Sequence, residues 1–361
     1  MTNLQKRIAD LTQLIGVSGH EWDVARYIYH ALEGHVDSLE QRPNGAIVAI
    51  KKGAKSGPRM MVTAHMDEVG YIVKNITPKG FLLFDRVGGA VEGCLPGRRV
   101  LVKGTGEAIP GVIGVRSSHL LTAEQKAKPQ TPEQSYVDIF VKSAEEARAL
   151  GIGPGSQIVP DSPWTEMRNG LVCTRASDDR VLCAIMVEAL LHLDANEFSG
   201  EVCAVFNVLE ETTIAAISAA ISYLDPEYSL FLDTIPCGDV PDCNFEKELP
   251  VALGSGPVIV LEQQVREAVR YGVSHPRLVE ALHTRCVETG VPYQELVLNG
   301  ARYMTDAVTA AYCGKGTAAA TLAVPRRYSH APTEVYSIED SENAYKLVSA
   351  FLRHAVDISM I

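Results

Sequence analysis

The sequence has no surplus of basic residues: 33 Lys and Arg stand against 44 Asp and Glu, a formal net charge of -11 at pH 7. Phosphate recognition relies on clustered cations that release counterions, so charge speaks against a nucleic acid partner. No run approaches the ~18 apolar residues that a helix needs to cross hydrocarbon, so no membrane partner is expected. The eight cysteines (Cys94, Cys173, Cys183, Cys203, Cys237, Cys243, Cys286, Cys313) form no close CxxC pair, and most lie inside apolar runs. That pattern argues against a thiolate metal site and for buried free thiols in a reducing cytoplasm. The N-terminus, MTNLQKRIADLTQLIGVSGHEWD, lacks the continuous apolar stretch and cleavage site of a secretory signal, so it is expected to be mature, cytoplasmic protein. The glycine turns Gly88-Gly89 and Gly254-Ser255-Gly256-Pro257 lack the lysine of a phosphate loop, which removes a nucleotide reading.

What is present is a globular composition, 46% hydrophobic and 21% charged. At 361 residues the chain is long for one core and suits a large domain with a smaller one attached or inserted. Apolar spacing predicts two helices over 3–33, broken by the turn Gly16-Val17-Ser18-Gly19. AIVAIKKG (46–53) and RMMVTAHMD (59–67) read as paired strands. From 69 to 165 short alternating segments with Gly and Pro predict a small β-barrel or sandwich, in which only EEARALG (145–151) looks helical. After Trp164 helix and strand alternate: helix 180–193, strand 200–211, helix 213–224, strand 228–234, then PRLVEALHTRCVETG, VPYQELVL, AATLAVP and a closing helix over 341–358. This implies an α/β fold, a doubly wound, mixed, mostly parallel sheet, with residues 1–68 and 166–361 forming one domain and 69–165 inserted into it.

In an open parallel sheet, sites collect at the carboxyl ends of the strands. His65 and Asp67 end one strand, Glu210 and Glu211 another and Asp233 a third; His330 follows a fourth, and Asp178 opens a helix near the same edge. Two imidazoles and three carboxylates suit a pair of divalent cations such as Zn, Co or Mn. With five ligands for two ions, one carboxylate must bridge. The strand period places Asp67 on the same face as His65, where it can buttress the imidazole. Glu210 and Glu211 are neighbours, so they point apart; one can bind metal while the other acts as a base.

Read in order, TAHMDEVGYIV, GFLLFDRVGG, ASDDRVLCA, LEETTIAA, FLDTIPCGDVPD, LGSGP, TDA and VPRRYSHAPTEV resemble the M42 family of metallo-aminopeptidases, across nearly the whole chain. The 112 residues between His65 and Asp178 fall where that family carries a β-rich dimerisation insert. The resemblance implies a zinc-peptidase type of sheet, with Asp178 bridging two metals, His65 and Asp233 completing one site, and Glu211 and His330 the other. It implies Glu210 as general base on the attacking water, short peptides with a free N-terminus as substrates, and self-association into dimers and a dodecamer. The chain departs from the family pattern at Leu182, along Leu209–Ala216 and at Arg302-Tyr303-Met304, which leaves its substrate preference open.

Two further functions fit the same residues: a co-catalytic deacylase or amidohydrolase acting on an N-acyl or sugar-linked substrate, and a non-catalytic scaffold that has kept the ligands. A glycosidase reading of Glu210 and Glu211 fails, because such carboxyls must face each other across a bond. Thr305 and Asp306 read either as a helix cap or as substrate contacts. His119 reads either as a surface histidine or as a group reaching a neighbouring subunit's site.

Overall fold

A computed structural model of the protein describes all residues except 127, 129, 214, 266–269, 300–302 and 361. Ile214 and Arg302, named above as departures, therefore lie outside the described residues. The chain opens with α1 (Asn3–Gln13), capped by Thr2 accepting from the Gln5 amide, and α2 (Trp22–Leu32). Strands β1 (Ser38–Gln41), β2 (Ile47–Lys52) and β3 (Lys55–His65) follow. The segment that follows contains β4 (Gly70–Ile76), β5 (Leu82–Val87), β6 (Arg99–Lys103), β7 (Ile109–Ile113), a single turn α3 (Ala123–Lys126), β8 (Val137–Asp138), α4 (Ala144–Ala149) and β9 (Gln157–Pro160). The remainder is β10 (Thr165–Glu166), β11 (Leu171–Thr174), α5 (Ser177–Leu191), β12 (Ser199–Asn207), α6 (Ile217–Leu224), β13 (Tyr228–Pro236), β14 (Val258–Val265), β15 (Arg270–Val273), α7 (Pro276–Thr289), β16 (Gln294–Asn299), β17 (Ala318–Arg327), β18 (Glu334–Ser337) and α8 (Ile338–Leu352).

One 12-stranded mixed sheet carries the site, in the order β1-β2-β12-β3-β13-β17-β18-β11-β10, with β14, β15 and β16 branching from β17. Its centre, β12-β3-β13-β17, is parallel, and antiparallel strands flank it. The segments 46–53 and 59–67, read above as partners, are not paired: β12 lies between them. The apolar run of β12 is buried along most of its length and takes the inner position, which overrides pairing of sequence neighbours. Helix α5 packs beneath this sheet. Its segment VLCAIMVEAL is apolar almost all round and fully buried, as a helix without a polar face must be.

Several helix bounds differ from expectation, among them α5, which spans Ser177–Leu191 rather than 180–193. The closing helix starts earlier, at Ile338, because Ser337 caps it through the Asp340 amide, and it stops at Leu352, where the tail turns away and the Val356 amide donates to the Tyr228 hydroxyl. The helix expected from 213 is regular only from Ile217, since a turn following Leu209 is tied by the Thr213 amide to the Leu209 carbonyl. Besides α4, the β-rich segment 69–165 has the single turn α3 and short 3-10 segments.

The small β-rich unit is a closed six-stranded barrel, β4-β5-β8-β7-β6-β9, around a core that includes Phe84, Val102, Val137 and Ile158. It docks on the connection between α1 and α2 through Val159 packed against Ile15 and Val17, and the Val17 amide donates to Gln157 Oε1 at 2.9 Å. A Cβ on Gly70 would lie 2.7 Å from the Val17 side chain, so only glycine allows this approach. Beneath the seam, buried Glu68 pairs with Arg175, while Arg180 donates to the Leu11 and Leu14 carbonyls and closes the end of α1. Among the described residues no helix is long and apolar enough to cross a membrane.

Candidate active site

The parallel register brings strand ends level. His65 lies opposite Asn207 of β12, and Thr63 lies opposite Phe231 of β13, which places Asp233 beside His65 at the carboxyl edge. Strand β17 leads into the loop holding His330, and Asp178 sits in the irregular first turn of α5 above the same edge. Glu210 and Glu211 are not in the strand itself; they follow Asn207 by a short turn.

These residues converge in two trios that share Asp178. Nε2 of His65 is 3.3 Å from Asp178 Oδ1 and 3.9 Å from Asp233 Oδ1. Nε2 of His330 is 3.4 Å from Asp178 Oδ2 and 3.2 Å from Glu211 Oε2. Within each trio all the donor atoms lie within 4.8 Å of one another. A tetrahedral zinc with bonds of ~2.1 Å sets its ligand atoms ~3.4 Å apart, so both trios fit a cation of that kind. Glu211 Oε1 is buried without a hydrogen-bond partner among the described residues, which a cation beside it would relieve. The donor set of imidazole and carboxylate is that of a borderline divalent ion.

Asp67 lies against both His65 and the glutamate turn. Its Oδ1 is 3.3 Å from His65 Nδ1, and its two oxygens accept the amides of Glu210 and Glu211 at 3.1 and 3.0 Å. One fully buried carboxylate thus fixes a ring and a turn together. Glu210 Oε2 stands 4.0 Å from His65 Nε2, beside the first trio and in neither. The Gly88-Gly89 turn of the barrel closes the other side. A Cβ on Gly89 would fall 2.6 Å from His330 Nδ1, and one on Gly88 would fall 3.2 Å from the Glu211 carbonyl.

Several participants escaped the sequence reading. The Asp179 carboxylate accepts the His65 amide at 3.3 Å. Arg326 is almost fully buried and forks between Asp178 and Glu334, with its Nε donating to Thr234 Oγ1 at 2.6 Å. Thr234 Oγ1 in turn donates to Asp178 Oδ1 at 3.0 Å. Glu334 accepts from Ser177 Oγ and from the amides of Asp178 and His330. The available signal was a charged residue inside or beside an otherwise buried apolar strand. Ala176, Leu209, Tyr328 and His330 hold left-handed φ angles of 51°, 63°, 63° and 58°, a conformation L-residues adopt at a cost and which clusters here around the turns that carry the two trios.

The electrostatics are those of a crowded acidic pocket. Burial, with neighbouring acids, pushes the carboxyls of Glu210, Asp233 and Glu211 upward, and burial pushes Asp306 up to about 7. Burial would also raise Asp178, but Arg326 and the two imidazoles outweigh it and hold this carboxyl well below its ordinary range. Burial opposes charge on His330, yet Glu211 and Asp178 raise it to about 10.

Of the three residues read as substrate contacts, Thr305 accepts the Ala307 amide and caps the 3-10 segment Asp306–Tyr312. Asp306 is buried and accepts from Asn207 Nδ2 at 2.7 Å, on the edge next to His65. His119 is exposed in the 3-10 segment Ser118–Leu120 of the barrel and is not one of the converging residues.

The profile of the family described as M42 glutamyl aminopeptidase matches residues 45–347. A protein of Escherichia coli (strain K12) bearing the aminopeptidase name FrvX is 32% identical over 347 residues, 96% of this chain and 94% of its own length. The structure of an aminopeptidase from Desulfurococcus kamchatkensis superposes with a TM-score of 0.90 at 31% identity, covering 98% of this chain and 95% of that one. The Pyrococcus horikoshii TET1 peptidase, described as assembling into a tetrahedron or a large octahedral shell, superposes with a TM-score of 0.84 at 27% identity over 97% of this chain and 99% of its own.

Proposed function

The chain belongs to the M42 glutamyl aminopeptidase family and is an aminopeptidase, and from that premise we propose that it removes residues from the free N-termini of short peptides with the help of two divalent cations, Zn or Co, with Mn as a third candidate. The observation that supports this reading best is the pair of donor trios sharing Asp178, with Glu210 beside His65 and belonging to neither.

His65, Asp178 and Asp233 would hold one cation, and Asp178, Glu211 and His330 the other. Cations there supply Lewis acidity, which polarises the scissile carbonyl and makes water more acidic. Glu210 accepts the proton of the attacking water and passes it to the departing amine, a role that burial favours by raising its carboxyl well above the ordinary carboxylate range. Asp67 keeps the His65 ring in place and, through the two amides it binds, fixes where Glu210 points. The surplus of buried carboxylates, Asp306 included, favours a substrate's α-ammonium group.

In this reading residues 69–165 are a dimerisation unit inserted into the catalytic domain of 1–68 and 166–361, and the protomers associate as dimers and then as a dodecamer. The assembly described for the TET1 relative supports that association. Eight unpaired cysteines support a reducing, cytoplasmic location.

The test is hydrolysis of aminoacyl-p-nitroanilides, with and without an N-acetyl block, after chelation and after adding back Zn, Co or Mn. Cation-dependent cleavage restricted to unblocked substrates is expected and would reveal the preferred residue. Silence toward the unblocked substrates, with acetate but no p-nitroaniline released from the blocked ones, would replace this reading with a deacylase.

A further inference from the structure

The two donor trios are alike in composition but not in surroundings. Asp178 Oδ1 faces His65 and Oδ2 faces His330. The Arg326 guanidinium rests on Oδ2, the oxygen on the His330 side, and its other arm is locked on Glu334. A guanidinium does not lose its charge at any working pH, and this one is sealed from solvent at 2% exposure. Any cation held by Oδ2 shares that oxygen's electron density with Arg326 and meets a like charge across a low-dielectric contact.

Two independent features point the same way. The His65 side chain is 3% exposed and its Nδ1 is backed by the Asp67 carboxylate, an arrangement that strengthens an imidazole as a ligand. The His330 side chain is 30% exposed, and its Nδ1 faces the bare Gly88-Gly89 turn instead.

Resting on the two-cation reading, we propose that Arg326 makes the positions unequal. The ion among His65, Asp178 and Asp233 is held tightly, whereas the ion among Asp178, Glu211 and His330 is weakly held and exchanges with the medium. Arg326 is thus a positioning residue that clamps the bridging carboxylate and lowers the affinity of one position. The local supply of divalent cation then sets how much of the protein carries both ions.

The experiment is cobalt titration of the demetallated full-length protein, followed by equilibrium dialysis with elemental analysis and by the visible absorption of bound cobalt. In the unmodified protein the first equivalent should bind on the order of 100-fold more tightly than the second, with separate spectra for the two. Arg326→Gln should tighten the second equivalent by about 10- to 100-fold and narrow the gap, while Arg326→Lys, which keeps the charge, should preserve it. Because Arg326→Gln strands buried Glu334, the double variant Arg326→Gln/Glu334→Gln is measured alongside. Two equivalents of equal affinity in the unmodified protein overturn the proposal, as does a gap unchanged in both charge-removing variants. Absence of any bound cobalt overturns the two-cation reading itself, a result distinct from either of those.

Discussion

Replacing Gly89 by alanine should damage the site from outside it. The backbone of Gly89 is not in the left-handed region, so alanine itself is tolerated there, but its Cβ would lie 2.6 Å from His330 Nδ1 and 3.0 Å from Cε1. Carbon contacts settle near ~3.5 Å, so the ring must retreat by roughly 0.5–1 Å. That displacement is applied to a ring whose Nε2 sits 3.2 Å from Glu211 and 3.4 Å from Asp178. Disturbing the support behind a ligand costs about 10- to 100-fold in cation affinity, and a misplacement of ~1 Å at a reacting centre costs ~100-fold in rate. The affinity for the second cation should therefore fall by a further ~10- to 100-fold relative to the unmodified protein and kcat/KM should drop by ~100-fold, with thermal stability little changed. Gly88→Ala is the contrasting control. At φ 73° and 2.9 Å from Val69 it should lose stability as well, by ~1 kcal/mol or more. A Gly89→Ala protein with unchanged affinity for the second ion and full turnover would refute the packing argument.

Glu210→Gln should keep its cations while losing about 100- to 10,000-fold in kcat, measured by elemental analysis beside steady-state kinetics, because the proton acceptor is lost and no ligand is. Glu68→Gln should lower stability to denaturant by about 3–5 kcal/mol, since it strands Arg175 and Arg180 in the seam, where Glu68 and Arg175 are each 3% exposed; a loss under ~1 kcal/mol would contradict this. Burial pushes the thiol of Cys203 up to about 12 and that of Cys286 up to about 11, and pushes Cys183 and Cys237 upward as well. These four should stay unreactive toward a disulfide reagent in the folded protein at pH 8 and react on unfolding, counted by released thiolate absorbance.

Much of the fold was legible because its pattern is local. The alternation of helix and strand, the change of texture near residue 69 and the polar residues closing apolar strands all follow from periods of 3.6 and 2. The five ligand candidates stood out because each is a His, Asp or Glu placed where an apolar run stops. What local pattern cannot carry is neighbourhood. That β12 separates β2 from β3 depends on pairing across more than a hundred residues, which no window reveals. Arg326 and Arg327 are neighbours of the same type, yet the first is buried on Asp178 and Glu334 while the second forms a partly exposed pair with Asp239. Burial of a charge is decided by partners distant in sequence. Asp179 was hidden differently, behind a neighbour of the same type, and only its bond to the His65 amide distinguishes it.

The most direct test of the account is anomalous diffraction at the zinc edge from crystals equilibrated with excess zinc. The account predicts two peaks flanking Asp178, one among His65, Asp178 and Asp233 and the other among Asp178, Glu211 and His330. Fewer than two peaks at saturating zinc, or peaks located elsewhere, would contradict it.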